Sequence, residues 1–185
     1  MLAFGTKEIY NERGSNFRGV ECVEITRKGT PYQLNGEQTE VGDKAPDFSV
    51  QNLKGDMIQL QDFTGKVVLI SVIPDIDTRV CAQQTRAFNE KASTIEGVQL
   101  ITISNNTQEQ QSNWCSGEGI AMEMLHDTNL IFADAYGLYM PELEKLARSV
   151  FVIDANGVIV YQEIVPEMVD EPDYDAVIEA AKSAR

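Results

Sequence analysis

The sequence predicts an α/β fold in which a central mixed β-sheet is flanked by helices and preceded by an N-terminal β-hairpin. Three observations carry this expectation. The run Val67-Val68-Leu69-Ile70-Ser71-Val72-Ile73 is apolar without alternation, the pattern of a strand covered on both faces. Behind it, Cys81, Thr85, Phe88, Ala92 and Ile95 recur at helical spacing and mark one face of an amphipathic helix. Near the C-terminus, Asn156-Gly157 separates two apolar runs, the strongest short signal for a hairpin.

Taken in chain order, residues 1–22 carry Gly5, Asn11, Gly14, Ser15, Asn16 and Gly19 without a sustained period and read as an irregular extension. Residues 23–185 form one domain. It opens on a hairpin at about 23–36, with Val23-Glu24-Ile25-Thr26 and Tyr32-Gln33-Leu34-Asn35-Gly36 joined by a Lys28-Gly29-Thr30-Pro31 turn. Val41-Gly42-Asp43-Lys44-Ala45-Pro46-Asp47-Phe48 leads to the central strand, and Pro74 to Thr78 connects that strand to the Cys81 helix. Val98 to Ile103 is the next strand, and helices follow at Thr107 to about Cys115 and at Asn129 to Tyr136. The last hairpin pairs Ser149-Val150-Phe151-Val152-Ile153 with Val158-Ile159-Val160-Tyr161, and a final helix at about Asp173 to Ser183 packs through Tyr174, Val177, Ile178 and Ala181. Strand, helix, strand, helix, hairpin and helix is the order of thioredoxin-like folds.

Composition narrows the function. With 43% hydrophobic and 24% charged residues over 185 positions, the chain has the make-up of one folded domain. The 29 acidic residues outnumber the 15 basic ones, giving a net charge of -14 that repels phosphate backbones and anionic lipid headgroups. Nucleic acid and membrane surfaces are therefore not expected as partners. The longest apolar run falls far short of the ~20 residues of a membrane span. The N-terminus also lacks the basic start and apolar core of a secretion signal, so a cytoplasmic, reducing location is expected.

In such a compartment the three cysteines, Cys22, Cys81 and Cys115, are free thiols rather than a disulfide framework. No Cys-x-x-Cys pair is present and His126 is the only histidine, so no zinc site is expected. Cys81 stands just past the carboxyl end of the central strand, the edge of α/β sheets where ligands bind. If Thr78 is the N-cap, the sulfur occupies the third helical position, where unpaired N–H groups and the helix dipole favour thiolate over thiol. Position alone is equally compatible with a small buried hydrophobe.

Pro74-Asp75-Ile76-Asp77-Thr78-Arg79-Val80-Cys81 matches the Pro-x-x-x-Thr-x-x-Cys signature of the peroxiredoxins. Val41 to Phe48, Arg86-Ala87-Phe88-Asn89 and Ala147-Arg148-Ser149-Val150-Phe151-Val152-Ile153-Asp154 resemble the thiol peroxidase branch, of the atypical two-cysteine type. The resemblance extends from about Val23 to the C-terminus. It implies that Cys81 is the peroxidatic cysteine, whose thiolate attacks the O–O bond of a hydroperoxide substrate and becomes a sulfenic acid. Thr78 would orient the peroxide, Arg148 would stabilise the thiolate and the developing charge on oxygen, and Pro74 would shield the sulfur from water. Cys115 would resolve the sulfenic acid as an intrachain disulfide, with local unwinding of both helix ends, and thioredoxin would recycle it. The resemblance further implies a homodimer and no metal, haem or flavin.

Arg79 departs from the family, which commonly has Pro or Gly there, and Cys22 inherits no role. A redox sensor using the same cysteine pair shares every motif. A cysteine hydrolase would require His126 as the base for Cys81.

Overall fold

A computed structural model of the chain describes residues 23–185. Its centre is a five-stranded sheet in the order β11-β10-β5-β6-β7. Here β5 is Val67–Val72, β6 Val98–Ser104, β7 Met124–His126, β10 Ser149–Ile153 and β11 Ile159–Ile164. β5, β6 and β7 are parallel, while β10 runs antiparallel to both β5 and β11. Every residue of β5 is buried, which is why its sequence shows no alternation. Val67 and Leu69 face one cluster with Phe88, Ala92, Val177 and Ala181. Val68, Ile70 and Val72 face the other with Phe132, Tyr136 and Phe151.

The first face is covered by α1 (Arg79–Ala92) and α4 (Tyr174–Ser183), the second by α3 (Ile131–Tyr136) and the hairpins. α2 (Gln108–Glu118) lies along β7, where the buried Gln111 side chain donates to Ser104 Oγ and to the Leu125 carbonyl. The parallel crossovers through α1 and α2 put the carboxyl ends of β5 and β6 beside the helix starts. That edge carries the cysteine loop.

Several elements differ from expectation, each for a local reason. The first hairpin pairs β1 (Glu24–Arg27) with β2 (Thr30–Gln33), so its turn is Lys28-Gly29 alone and Thr30 and Pro31 belong to the strand. Both turn residues have positive φ, 51° and 79°, the geometry whose twist matches the flanking strands. At the last hairpin, Asp154 N–H donates to the Val158 carbonyl and Gly157 N–H to the Asp154 carbonyl. Asn156-Gly157 thus closes the expected turn, with Gly157 at φ 78°, and only the start of the second strand shifts, from Val158 to Ile159. α1 ends at Ala92, so Ile95 lies beyond the helix and is half-buried. α2 continues past Cys115 to Glu118. α3 starts after Leu130, whose left-handed backbone keeps Asn129 outside the helix.

Unanticipated elements are β7, a hairpin of β3 (Ser49–Gln51) and β4 (Met57–Gln59), and the pair β8 (Tyr139–Met140) and β9 (Lys145–Leu146). Residues 1–22, with Cys22, lie outside the described residues.

Candidate active site

β5 delivers the chain to Ile73 and the buried Pro74, where a tight turn begins. Thr78 is the N-cap of α1, but its hydroxyl donates to the Asp75 carbonyl at 2.9 Å instead of capping the helix. This closes the loop on itself and leaves the first N–H groups of α1 without a side-chain partner. Cys81 is 1% exposed. Its sulfur accepts from the Asp75 N–H at 3.4 Å and from Arg148 Nη2 at 3.4 Å.

Arg148 reaches the sulfur through register. Ser149 pairs with Val72 across the β10–β5 ladder, which sets Arg148 beside the end of β5 where the cysteine loop departs. The guanidinium is 2% exposed. Nε donates to the Met168 carbonyl at 3.0 Å, Nη1 to Gln84 Oε1 at 2.7 Å, and Nη2 to Cys81. Gln84 is held in turn by donating to Ser71 Oγ at 2.9 Å. Among the described residues the ion pairs are Arg86–Glu118, Lys91–Asp175 and Lys145–Asp75, none of which involves Arg148. A buried cation without a carboxylate is costly, by several kcal/mol. A negative charge on the adjacent sulfur offsets that cost, and the α1 dipole acts in the same direction.

The loop is stapled from a second side. The buried Asn106 accepts the Ile76 N–H at 2.9 Å and donates to Asp75 Oδ1 at 3.0 Å. Lys145 pairs with Asp75 Oδ2 at 3.0 Å. Burial alone would raise the Asp75 carboxyl, but the hydrogen bonds from Asn106, Lys145 and the Asp77 N–H outweigh it and hold the group below its ordinary value.

Cys81 and Cys115 are both free thiols. They share one apolar cluster with Ile73, Ile76 and Met124, against which Trp114 also packs. The Cys115 thiol donates to Met124 Sδ at 3.2 Å rather than contacting Cys81 through a hydrogen bond. Desolvation pushes the Cys115 thiol up, so the second sulfur is kept protonated where the first is surrounded by donors. Arg79 is exposed at the start of α1. Both ring nitrogens of His126 are buried without a hydrogen-bond partner, so His126 is no base for Cys81 and the hydrolase alternative lacks its geometry.

The loop thus brings together Cys81, Arg148, Pro74 and Thr78, with Cys115 in the neighbouring cluster. Sequence reasoning missed Gln84, Asn106 and Met124. Gln84 had a signal: it is a polar residue one turn after Cys81 on the buried face of α1. Asn106 and Met124 had none, since their partners are set by tertiary contacts.

The chain belongs to the AhpC/TSA family, whose profile matches residues 41–162. Within it, the chain is 49% identical to the thiol peroxidase of Listeria innocua serovar 6a, over 88% of this chain and 99% of that one. It is 48% identical to the thiol peroxidase of Bacillus subtilis, over 87% and 98%. A crystal structure of a peroxiredoxin-like protein from Aquifex aeolicus superposes with a TM-score of 0.83 at 31% identity, covering 88% of this chain and 97% of that one. A thiol peroxidase from Chromobacterium violaceum superposes at 0.78 over 86% and 96%, and at 17% identity it speaks to the fold alone. The chain is an enzyme, an oxidoreductase of the peroxiredoxin type with peroxidase activity.

Proposed function

We propose that the enzyme reduces hydrogen peroxide and organic hydroperoxides through Cys81 and Cys115. The observation that carries this reading is the buried Arg148 guanidinium bonded to the Cys81 sulfur with no carboxylate to neutralise it. The Cys81 thiolate attacks the outer oxygen of RO–OH, the O–O bond breaks, and RO⁻ leaves to be protonated as ROH. The sulfur is oxidised to Cys81–SOH. Arg148 stabilises the charge developing on the departing oxygen, and the Thr78 oxygen, whose proton is engaged by Asp75, is free to accept a hydrogen bond from the peroxide. Pro74 keeps water from the sulfur. Cys115 then attacks the sulfenic sulfur, its proton and the hydroxyl leave as water, and a Cys81–Cys115 disulfide remains. Thioredoxin, itself oxidised to a disulfide, returns both thiols.

The family resemblance supports a homodimer acting in the cytoplasm. Among the described residues no helix is long and apolar enough to cross a membrane.

Two variants test the scheme in a coupled assay with thioredoxin. Cys81→Ser abolishes peroxide reduction, and Cys115→Ser reduces one equivalent of peroxide and then stops. Full activity in Cys81→Ser overturns the reading.

A further inference from the structure

The helices that carry the two cysteines are joined by a contact that the scheme above does not use. Arg86, on α1, donates from Nε to Glu118 Oε2 at 2.6 Å and from Nη2 to Glu118 Oε1 at 2.7 Å, a two-pronged ion pair with the last residue of α2. Its guanidinium carbon also stands 6.0 Å from the centre of the Trp114 ring. Such planar pairing fixes orientation as well as charge, and stacking on an aromatic face adds to it. Trp114 immediately precedes Cys115 and packs against the cluster that contains Cys81. One arginine on the first cysteine's helix therefore grips the turn that bears the second.

On the proposed Cys81–Cys115 scheme that turn moves. A disulfide requires the two Cα atoms to come within about 7 Å with opposed side chains. In the reduced protein the Cys115 sulfur is seated on Met124 instead. The unwinding that the resemblance implies for the Cys115 helix would involve the segment from Trp114 to Glu118, and both groups that Arg86 holds lie within that segment.

We infer that Arg86 and Glu118 form a clamp that keeps the Cys115 turn folded and sets the rate at which Cys115 reaches oxidised Cys81. This rests on the Cys81–Cys115 reading of the previous section. Both residues are positioning residues, since neither touches Cys81. The pair is at the surface, so its grip is screened by salt.

The test is stopped-flow fluorescence of Trp114, the only tryptophan in the chain, after reduced protein is mixed with hydrogen peroxide. Acid-quenched samples are mapped by mass for the Cys81 sulfenic acid and for the disulfide. Glu118→Gln and Arg86→Gln speed disulfide formation by about 3- to 10-fold, the size of a surface ion pair with one cation–π contact. The peroxide-dependent oxidation of Cys81 is unchanged. Raising salt from 0.05 M to 0.5 M speeds disulfide formation in the unmodified protein and has little effect in either variant. The salt series reads the clamp without any substitution, so a folding defect in a variant does not hide the answer. Equal or slower disulfide formation in both variants, or a salt-independent rate in the unmodified protein, overturns the clamp while leaving the cysteine pair intact. If Cys81 forms neither the sulfenic acid nor the disulfide with Cys115 in any sample, the cysteine reading itself fails, and the clamp fails with it.

Discussion

With 2% of its surface exposed, Arg148 must satisfy its donors inside the protein, and it does so on three unlike partners: a carbonyl, a side-chain amide and a thiol sulfur. Two of these acceptors are neutral, so the charge is balanced only when the third is an anion. Arg148→Met therefore removes both the fork and the charge, and peroxide reduction falls by about 100-fold or more at neutral pH, the loss seen when a transition-state donor is deleted. Arg148→Lys restores charge without the planar fork and recovers only part of that rate, because a single ammonium cannot reach Gln84, Met168 and Cys81 together. Steady-state rates with saturating reductant decide this. If Arg148→Met is as fast as the unmodified protein, the charge argument is wrong. Cys81 and Arg148 were legible as motif residues, and the resemblance implied that Arg148 acts on the thiolate, but the geometry that joins them was not readable from the local pattern. It depends on the pairing of Ser149 with Val72, and no local pattern encodes a register between strands so far apart in sequence.

The β1–β2 hairpin reaches the site through the segment after β11. Thr26 N–H donates to the Pro166 carbonyl and Met168 N–H donates to the Thr26 carbonyl, each at 2.7 Å. Met168 in turn offers its carbonyl to Arg148. Glu167 fixes the turn, accepting the Lys28 and Gly29 N–H groups and the Thr26 hydroxyl. Desolvation pushes the Glu167 carboxyl up, but these bonds and the Val169 N–H outweigh it and draw the group down to about 2. A folded value below the unfolded one means that the native state binds fewer protons. Its stabilisation is thus present above the ordinary value of 4.5 and is lost as pH falls from there towards about 2. Glu167→Gln should melt at a lower temperature than the unmodified protein at pH 7, with the gap closing as pH is lowered through this window. A gap independent of pH would show that the carboxylate charge is not what holds the turn. At this scale the sequence revealed elements with a long apolar run or a sustained period, β5, α1, β6 and α4. It hid β7 and the β3–β4 and β8–β9 pairs, whose strands are too short to show alternation.

Across the whole molecule, an acidic chain of net charge -14 places a buried cation at the edge where β5 and β6 end. The peroxiredoxin-type architecture follows from that placement. β5 ends in a loop stapled by Asn106 and Lys145, α1 carries one sulfur in its first turn, and α2 holds a second, protonated sulfur in the same apolar cluster. Two thiols of unlike surroundings suit the proposed sequence, one as nucleophile and one as resolving group. The most direct test is intact mass and a peptide map of the reduced protein after one equivalent of hydrogen peroxide, quenched within about a second, at the slow end of the range for local opening. The account predicts a loss of two hydrogens, with Cys81 linked to Cys115. Unreacted thiols, or a disulfide that leaves out Cys81, would contradict it.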